Sequence, residues 1–294
     1  MSAQRIAIVG GSGQLGTALR EALAGRDVVA PPHAEVALED RAALERMLDA
    51  VRPDVLVNCS AFHQVDACER EPARAFAINA LAVDGAAEAC ARRDIAFATV
   101  STDYVFDGTL GRAYREDDAP NPLTAYGASK LAGENLTRRH GARHSIVRAS
   151  GVFGTTGSSN KGYTLIEKML QKAESGEPIR MVADQVFSPS YAPDVARAIR
   201  DLLDAAAFGT HHVTNAGACS WYEFVRTALV KAGLGDAEIA PVTYAELGNP
   251  TKRPMHSPLE NTTFAAHGIA PLPRWEDALD AFLAARRERL AAAR

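Results

Sequence analysis

The sequence predicts an α/β protein: a doubly wound parallel sheet covered by helices on both faces, with a smaller C-terminal α/β lobe. Three observations point there. Short, nearly continuous apolar runs alternate with amphipathic segments through residues 1–150. A glycine-rich turn joins the first run to the first amphipathic segment. After Gly151 this rhythm gives way to a Gly/Ser/Thr-rich stretch and mixed elements. Strands buried on both faces read as unbroken apolar runs, and alternating βαβα units pair in parallel through helical crossovers.

Taken in order, residues 6–9 form an apolar strand, 14–23 a helix and 28–30 a short second strand. Residues 41–51 place Leu44, Met47, Leu48 and Val51 on one helical face. A strand over 54–58, a long Ala-rich helix over 72–92 and a strand over 95–100 follow. A helix then starts at about Ala125, and 145–149 is the next strand. Residues 154–162 read as a loop. A helix over 163–173 and a strand over 179–182 come next. Residues 194–203 and 211–215 make one more helix–strand unit that returns to the sheet. From Ser220 onward the pattern is helical with long loops, ending in a helix over 275–290. Residues 151–190 and this tail are expected over the C-terminal edge of the sheet, where open α/β sheets bind ligands.

Composition excludes several classes of function. A net charge of −4 gives no global attraction to nucleic acid or to an anionic membrane. Arg286-Arg287-Glu288-Arg289 reads as a solvated helix face. No apolar run approaches the roughly 20 residues of a membrane span, and residues 5–9 enter a strand with no leader-like segment before them. The expectation is a cytoplasmic protein. Cys59, Cys68, Cys90 and Cys219 form no Cys-x-x-Cys pair and have no metal-like spacing with histidine, so reduced structural thiols and no metal are expected. His211-His212 at a strand start reads as structural.

Gly10-x-x-Gly13-x-x-Gly16 follows a strand and opens a helix, the context a dinucleotide fingerprint requires. Glycines allow the tight turn and the close approach of backbone to phosphate. The helix start then offers unpaired N–H groups and the positive end of its dipole. This assigns 1–150 with about 191–216 to a Rossmann-type dinucleotide-binding domain, and about 151–190 with 217–294 to a substrate-binding lobe. The carboxylate that usually grips the ribose 2′-hydroxyl after the second strand is absent, since the chain reads Val29-Ala30-Pro31-Pro32-His33. A 2′-phosphate is therefore not repelled, although no arginine attracts it, and NADPH is favoured over NADH. Leu38 packs either on the adenine or in the core.

Tyr126 and Lys130 stand four residues apart, on one face of a helix for which Thr124 is the N-cap and Asn121-Pro122 the preceding turn. An ammonium beside a phenol favours the phenolate and lowers its pKa. A tyrosine so tuned can pass a proton to or from a substrate oxygen. Such pairs are common on helix surfaces. This one gains weight by following Ser101-Thr102-Asp103-Tyr104-Val105-Phe106-Asp107-Gly108 at a strand end, where Thr102 can hydrogen-bond the same oxygen.

These segments resemble the extended short-chain dehydrogenase/reductases, and within them the dTDP-4-dehydrorhamnose reductase group. The likeness is carried by Gly10–Gly16, Arg52–Asn58, Val65-Asp66-Ala67-Cys68-Glu69-Arg70-Glu71-Pro72 with Asn79, and Ser101–Gly108. It continues through Tyr126–Glu134, Asp184-Gln185 with Ser188-Pro189, and Arg253-Pro254 with Ser257 and Leu259. The resemblance implies Tyr126 as proton donor, Lys130 as holder of the nicotinamide ribose, Thr102 as partner of the keto oxygen and Asp103 beside the substrate. It implies pyrophosphate contacts from Gly13, Gln14 and Leu15, a cofactor lining from Ala61, Phe62 and His63, and Asn79 as support for the Tyr/Lys helix. Sugar-nucleotide dehydratases of the superfamily carry an acidic residue where this chain has Tyr104, which argues against dehydration.

Two departures stand out. The group commonly has a sugar-contacting Trp just after the Arg148 strand, where this chain has Gly151, so the sugar pocket is expected to be enlarged or reshaped. Pro31 and Ala37 stand where acidic residues are expected around the adenine ribose. A nucleotide-sugar diphosphate needs a cationic partner, and Lys252-Arg253, above all Arg253, is the candidate. The reading is an NADPH- or NADH-dependent reductase of a nucleoside-diphosphate 4-keto-6-deoxy sugar. A non-catalytic, cofactor-binding regulatory subunit and a nucleotide-sugar epimerase are the alternatives. A homodimer is the default expectation.

Overall fold

The computed structural model describes residues 4–141, 143–157 and 164–292. The chain alternates β1 (Ile6–Val9), α1 (Gln14–Ala22), β2 (Val28–Val29), α2 (Arg41–Val51) and β3 (Val55–Asn58). Three short helical pieces follow, α3 (Val65–Arg70), α4 (Pro72–Phe76) and α5 (Ala82–Ala91), with a π turn at Ala77–Leu81 between the last two. Then come β4 (Ala96–Thr102), α6 (Ala125–Arg138) and β5 (His144–Ala149). The second half runs β6 (Val152–Phe153), α7 (Leu165–Glu174), β7 (Ile179–Val182), β8 (Val186–Phe187) and β9 (Ser190–Tyr191). It continues with α8 (Ala192–Asp204), β10 (Gly209–His212), β11 (Cys219–Ser220), α9 (Trp221–Lys231), β12 (Ile239–Val242) and α10 (Trp275–Ala292).

Six strands make one wholly parallel sheet in the order β10-β5-β4-β3-β1-β2. Alternation along β1 shows why both faces need cover. Ile6 and Ile8 join Leu19, Val195 and Ile199 of α1 and α8 on one face. Ala7 and Val9 join Leu44 and Leu48 of α2 and Val83 and Cys90 of α5 on the other. The chain leaves β1 toward β2 on one side and returns to β3 on the opposite side. That reversal opens a crevice beyond the strand ends, where ligands of such sheets bind.

The smaller lobe has its own apolar cluster, built from Phe153, Leu170, Phe187, Phe224 and Phe282 among others. It is held by three two-stranded pairs, β6 with β9, β7 with β12 and β8 with β11. The helical tail expected from Ser220 onward is therefore preceded by β11 and interrupted by β12. Their partners lie 30 or more residues away in sequence, beyond the reach of local pattern. The expected single helix over 72–92 is α4, the π turn and α5. The returning helix–strand unit is α8 and β10, with β10 bonded in register to β5. Residues 158–162 of the expected loop, and Tyr163 at the expected helix start, lie outside the described residues. Among the described residues no helix is long and apolar enough to cross a membrane.

Candidate active site

The glycine turn sits at the crevice. Gly10 has φ +78°, and a Cβ on it would lie 2.6 Å from Ser60 N. A Cβ on Gly16 would lie 2.2 Å from Gly10 O. Both positions therefore exclude every side chain, and the turn closes through Gly13 N–H donating to Gly10 O at 3.1 Å. Gly13 caps α1 without a side-chain acceptor, and the first turn of α1 carries no acidic residue. The N–H groups of Gln14, Leu15 and Gly16 have no intrahelical partner, which leaves a cationic, donor-rich cradle. The set fits a pyrophosphate. Leu38 is 2% exposed and packs with Val9, Val36 and Leu44 in the core under α2. No carboxylate follows β2, as read from Ala30, Pro31 and Pro32.

Thr102 ends β4, and α6 runs beside it. Thr124 caps α6, accepting from Gly127 N at 2.9 Å. Glu69 of α3 accepts from Ala125 N at 2.6 Å, so a carboxylate also sits at the positive end of the helix dipole. Two glycines bring α6 unusually close to its neighbours. A Cβ on Gly127 would lie 2.1 Å from Tyr104 O, and one on Gly133 would lie 2.2 Å from Asn79 O. Asn79, on the π turn, accepts from Phe62 N at 2.8 Å and donates to Phe62 O at 2.9 Å and to Ser129 Oγ at 3.0 Å. Its amide thus ties the segment after β3, with Ala61, Phe62 and His63, to the Tyr126/Lys130 helix. His63 Nδ1 lies 3.5 Å from Ala61 O.

The Tyr126 ring meets Tyr104 edge-on with centroids 5.9 Å apart. Burial raises the Tyr126 phenol pKa well above its ordinary value, although the Thr102 hydroxyl holds it down, which corrects the expectation that Lys130 lowers it. Lys130 points elsewhere: its Nζ donates to Val100 O at 2.7 Å. Burial lowers the Lys130 pKa to about 8, against the opposing pull of Glu134. Glu134 is itself pinned by Arg148 at 2.7 Å and by Ser101 Oγ at 2.6 Å. At neutral pH the site thus presents a protonated phenol next to a hydroxyl, with an ammonium one turn away.

On the other side of Thr102, burial raises the Asp103 carboxyl pKa to about 6, while hydrogen bonds from Ser257 and Thr102 hold it down. Ser257 Oγ donates to Asp103 Oδ2 at 2.6 Å, and Thr102 Oγ1 to Oδ1 at 3.2 Å. Tyr104 is raised to about 12 by burial. Arg253 reaches in from the smaller lobe. Its Nη2 lies 3.1 Å from Asp66 Oδ1, and its Nε is buried without a partner. Lys252 beside it is exposed. Beside Gly151, where the sugar pocket was expected to be enlarged or reshaped, the ring of Phe187 fills the space a Cβ would take.

The chain matches the RmlD substrate binding domain over residues 4–288. This chain belongs to the RmlD substrate binding domain family. The spore coat polysaccharide biosynthesis protein SpsK of Bacillus subtilis strain 168 is 37% identical over 281 residues, 95% of this chain and 96% of that protein. A dTDP-4-dehydrorhamnose reductase of Mycobacterium tuberculosis is 35% identical over 289 residues, 96% of this chain and 93% of that one. The crystal structure of the Bacillus anthracis dTDP-4-dehydrorhamnose reductase in complex with NADP superposes with a TM-score of 0.90 at 31% identity, covering 95% and 98% of the two chains.

In this RmlD-family chain the structure adds residues that pattern reading missed. Glu69, named above only within the Val65–Pro72 segment, caps α6 from another element. Ser257, quoted only as part of a motif, clamps Asp103. Asp66 holds Arg253. Each acts across more than 50 residues of sequence, where only the fold reveals the partner. His211 and His212 are buried and bonded to backbone carbonyls, as expected of structural histidines. All four thiols are free, and burial raises their pKa.

Proposed function

We propose that this chain reduces the 4-keto group of a nucleoside-diphosphate 4-keto-6-deoxy sugar with NADPH, as a dTDP-4-dehydrorhamnose reductase of polysaccharide biosynthesis. One observation carries the reading: Thr102, Tyr126 and Lys130 converge at the C-terminal end of β4, at the same edge of the parallel sheet as the glycine cradle after β1. Membership of the RmlD family and the reductases among its relatives support it.

Gly10, Gly13, Gln14, Leu15 and Gly16 would hold the pyrophosphate, and Ala61, Phe62 and His63 would line the neighbouring wall. Bound NADPH supplies a hydride to the carbonyl carbon. Tyr126, kept protonated by burial, gives its proton to the carbonyl oxygen as negative charge develops there. Thr102 would turn its one hydroxyl proton from Asp103 to that oxygen, alongside the phenol. Lys130 keeps a positive charge nearby and would hold the nicotinamide ribose. The buried Asp103 and the half-buried Tyr104 and Arg253 would face the nucleotide-sugar side, with Arg253 meeting the diphosphate. We assign residues 1–150 with about 191–216 to cofactor binding and the remainder to substrate.

The test is NADPH consumption by purified protein given dTDP-4-keto-6-deoxyglucose together with the 3,5-epimerase that converts it to dTDP-4-dehydrorhamnose. Turnover that requires the epimerase supports the proposal. Cofactor binding without turnover on either sugar sinks it.

A further inference from the structure

Gly151 has φ +50°, and a Cβ on it would lie 2.2 and 2.3 Å from Cε2 and Cδ2 of Phe187. The left-handed backbone and the ring together bar any side chain there. Phe187 is 2% exposed. It lies flat on Trp221, with ring centroids 3.7 Å apart and planes at 16°. Trp221 is only half-buried, so this stack runs from the interior toward solvent.

Its position is fixed from three sides. Gly151 is two residues beyond Ala149, the register partner of Thr102. Ser257, which clamps Asp103, donates its N–H to Val186 O at 3.0 Å, one residue before Phe187. Trp221 N–H points to Gln185 O at 3.4 Å, and the Gln185 side chain donates to Pro254 O at 3.1 Å and holds the Tyr104 pKa down against burial. The backbone carrying the two rings is therefore bonded directly to Ser257, which holds Asp103, and to Gln185, which influences Tyr104.

We propose that the Trp221 indole, held flat by Phe187, is the surface against which the apolar face of the keto sugar packs, with Gly151 the opening that admits the pair. This rests on the reductase reading. A 6-deoxy sugar ends in a methyl group and presents C–H bonds on one ring face. A wide, rigid aromatic plane covers such a face at little cost in conformational freedom. The wall comes from the β11–α9 junction, so its shape is set by the smaller lobe and not by the strand end that carries Gly151.

Trp221→Ala is expected to raise KM for dTDP-4-dehydrorhamnose about 5- to 10-fold. Little change is expected in kcat or in KM for NADPH, because binding shared by ground and transition states is what would be lost. Trp221→Phe keeps a flat ring and is expected to restore most of the loss. An unchanged KM in Trp221→Ala, or an equal rise in KM for NADPH, overturns the proposal. Binding is also read apart from turnover. Trp221 and Trp275 are the two indoles of the chain, so the difference between wild-type and Trp221→Ala emission isolates Trp221. Saturable quenching of that component by dTDP-rhamnose supports the wall, and constant emission refutes it. Quenching in a wild-type protein that turns over no keto sugar would defeat the reductase reading while leaving the wall standing.

Discussion

At the scale of single residues, the site works by keeping charges where water cannot reach them. The Tyr126 phenol stays protonated far above neutrality, which suits a proton donor in a reduction. Tyr126→Phe should lower kcat by about 100-fold or more and leave NADPH affinity unchanged by direct titration. Lys130 gives a pH signature with two opposite signs. Its folded pKa is about 8, against an ordinary value of 10.5. Between these values the unfolded chain holds a proton that the folded chain has released, so this group's contribution to stability rises with pH through that window. NADPH affinity should fall over the same window as the ammonium is lost. Parallel titrations of melting temperature and of NADPH Kd check this, and a Kd flat across pH 8 to 10 would remove Lys130 from the cofactor site. Thr102, Tyr126 and Lys130 were legible because their spacing is local. The direction of the Tyr126 shift was not, because it comes from the burial of the phenol by segments far apart in sequence.

At the scale of elements, α6 matters most. Alanine is the better helix former by about 1 kcal/mol, yet at Gly127 or Gly133 its Cβ would meet a carbonyl oxygen of an adjoining segment at 2.1 or 2.2 Å. Overpacking should win, and Gly133→Ala should destabilise by about 1–3 kcal/mol in urea unfolding. The π turn is the matching surface, and π turns recur where a helix must offer a side chain out of step. Here the side chain is Asn79. Asn79→Ala would strip both bonds from the buried backbone of Phe62, and a loss of about 1–3 kcal/mol is expected. The sequence showed a helix here but not the extra residue in its turn. In so Ala-rich a stretch, periods of 3.6 residues and slightly more cannot be told apart. The Thr124 cap was readable from residue type and place, whereas the Glu69 cap was not, since Glu69 sits 56 residues before its partner.

At the scale of the molecule, two cores meet across one crevice. The sheet half could be read from sequence because each strand and its covering helix are neighbours along the chain. The smaller lobe resisted, since most of its strands are only two residues long and β12 contains Pro241, which speaks against a strand unless it lies at an edge. The lobes are joined at the site itself, by Ser257 on Asp103 and by Arg253 on Asp66. Arg253→Ala should therefore raise KM for the sugar nucleotide and leave that for NADPH unaltered, and an equal effect on both would mean that the arginine only fastens the lobes. The cysteines lend this architecture a further use. Cys90 is sealed in the sheet core and Cys219 in the core of the smaller lobe. Neither thiol ionises readily nor meets solvent, so an alkylating reagent can reach each only when its surroundings open. The rates at which the two sulfurs are labelled, compared with and without NADPH, would report the opening of each half separately. The chain thus carries a native pair of reporters for which lobe loosens first.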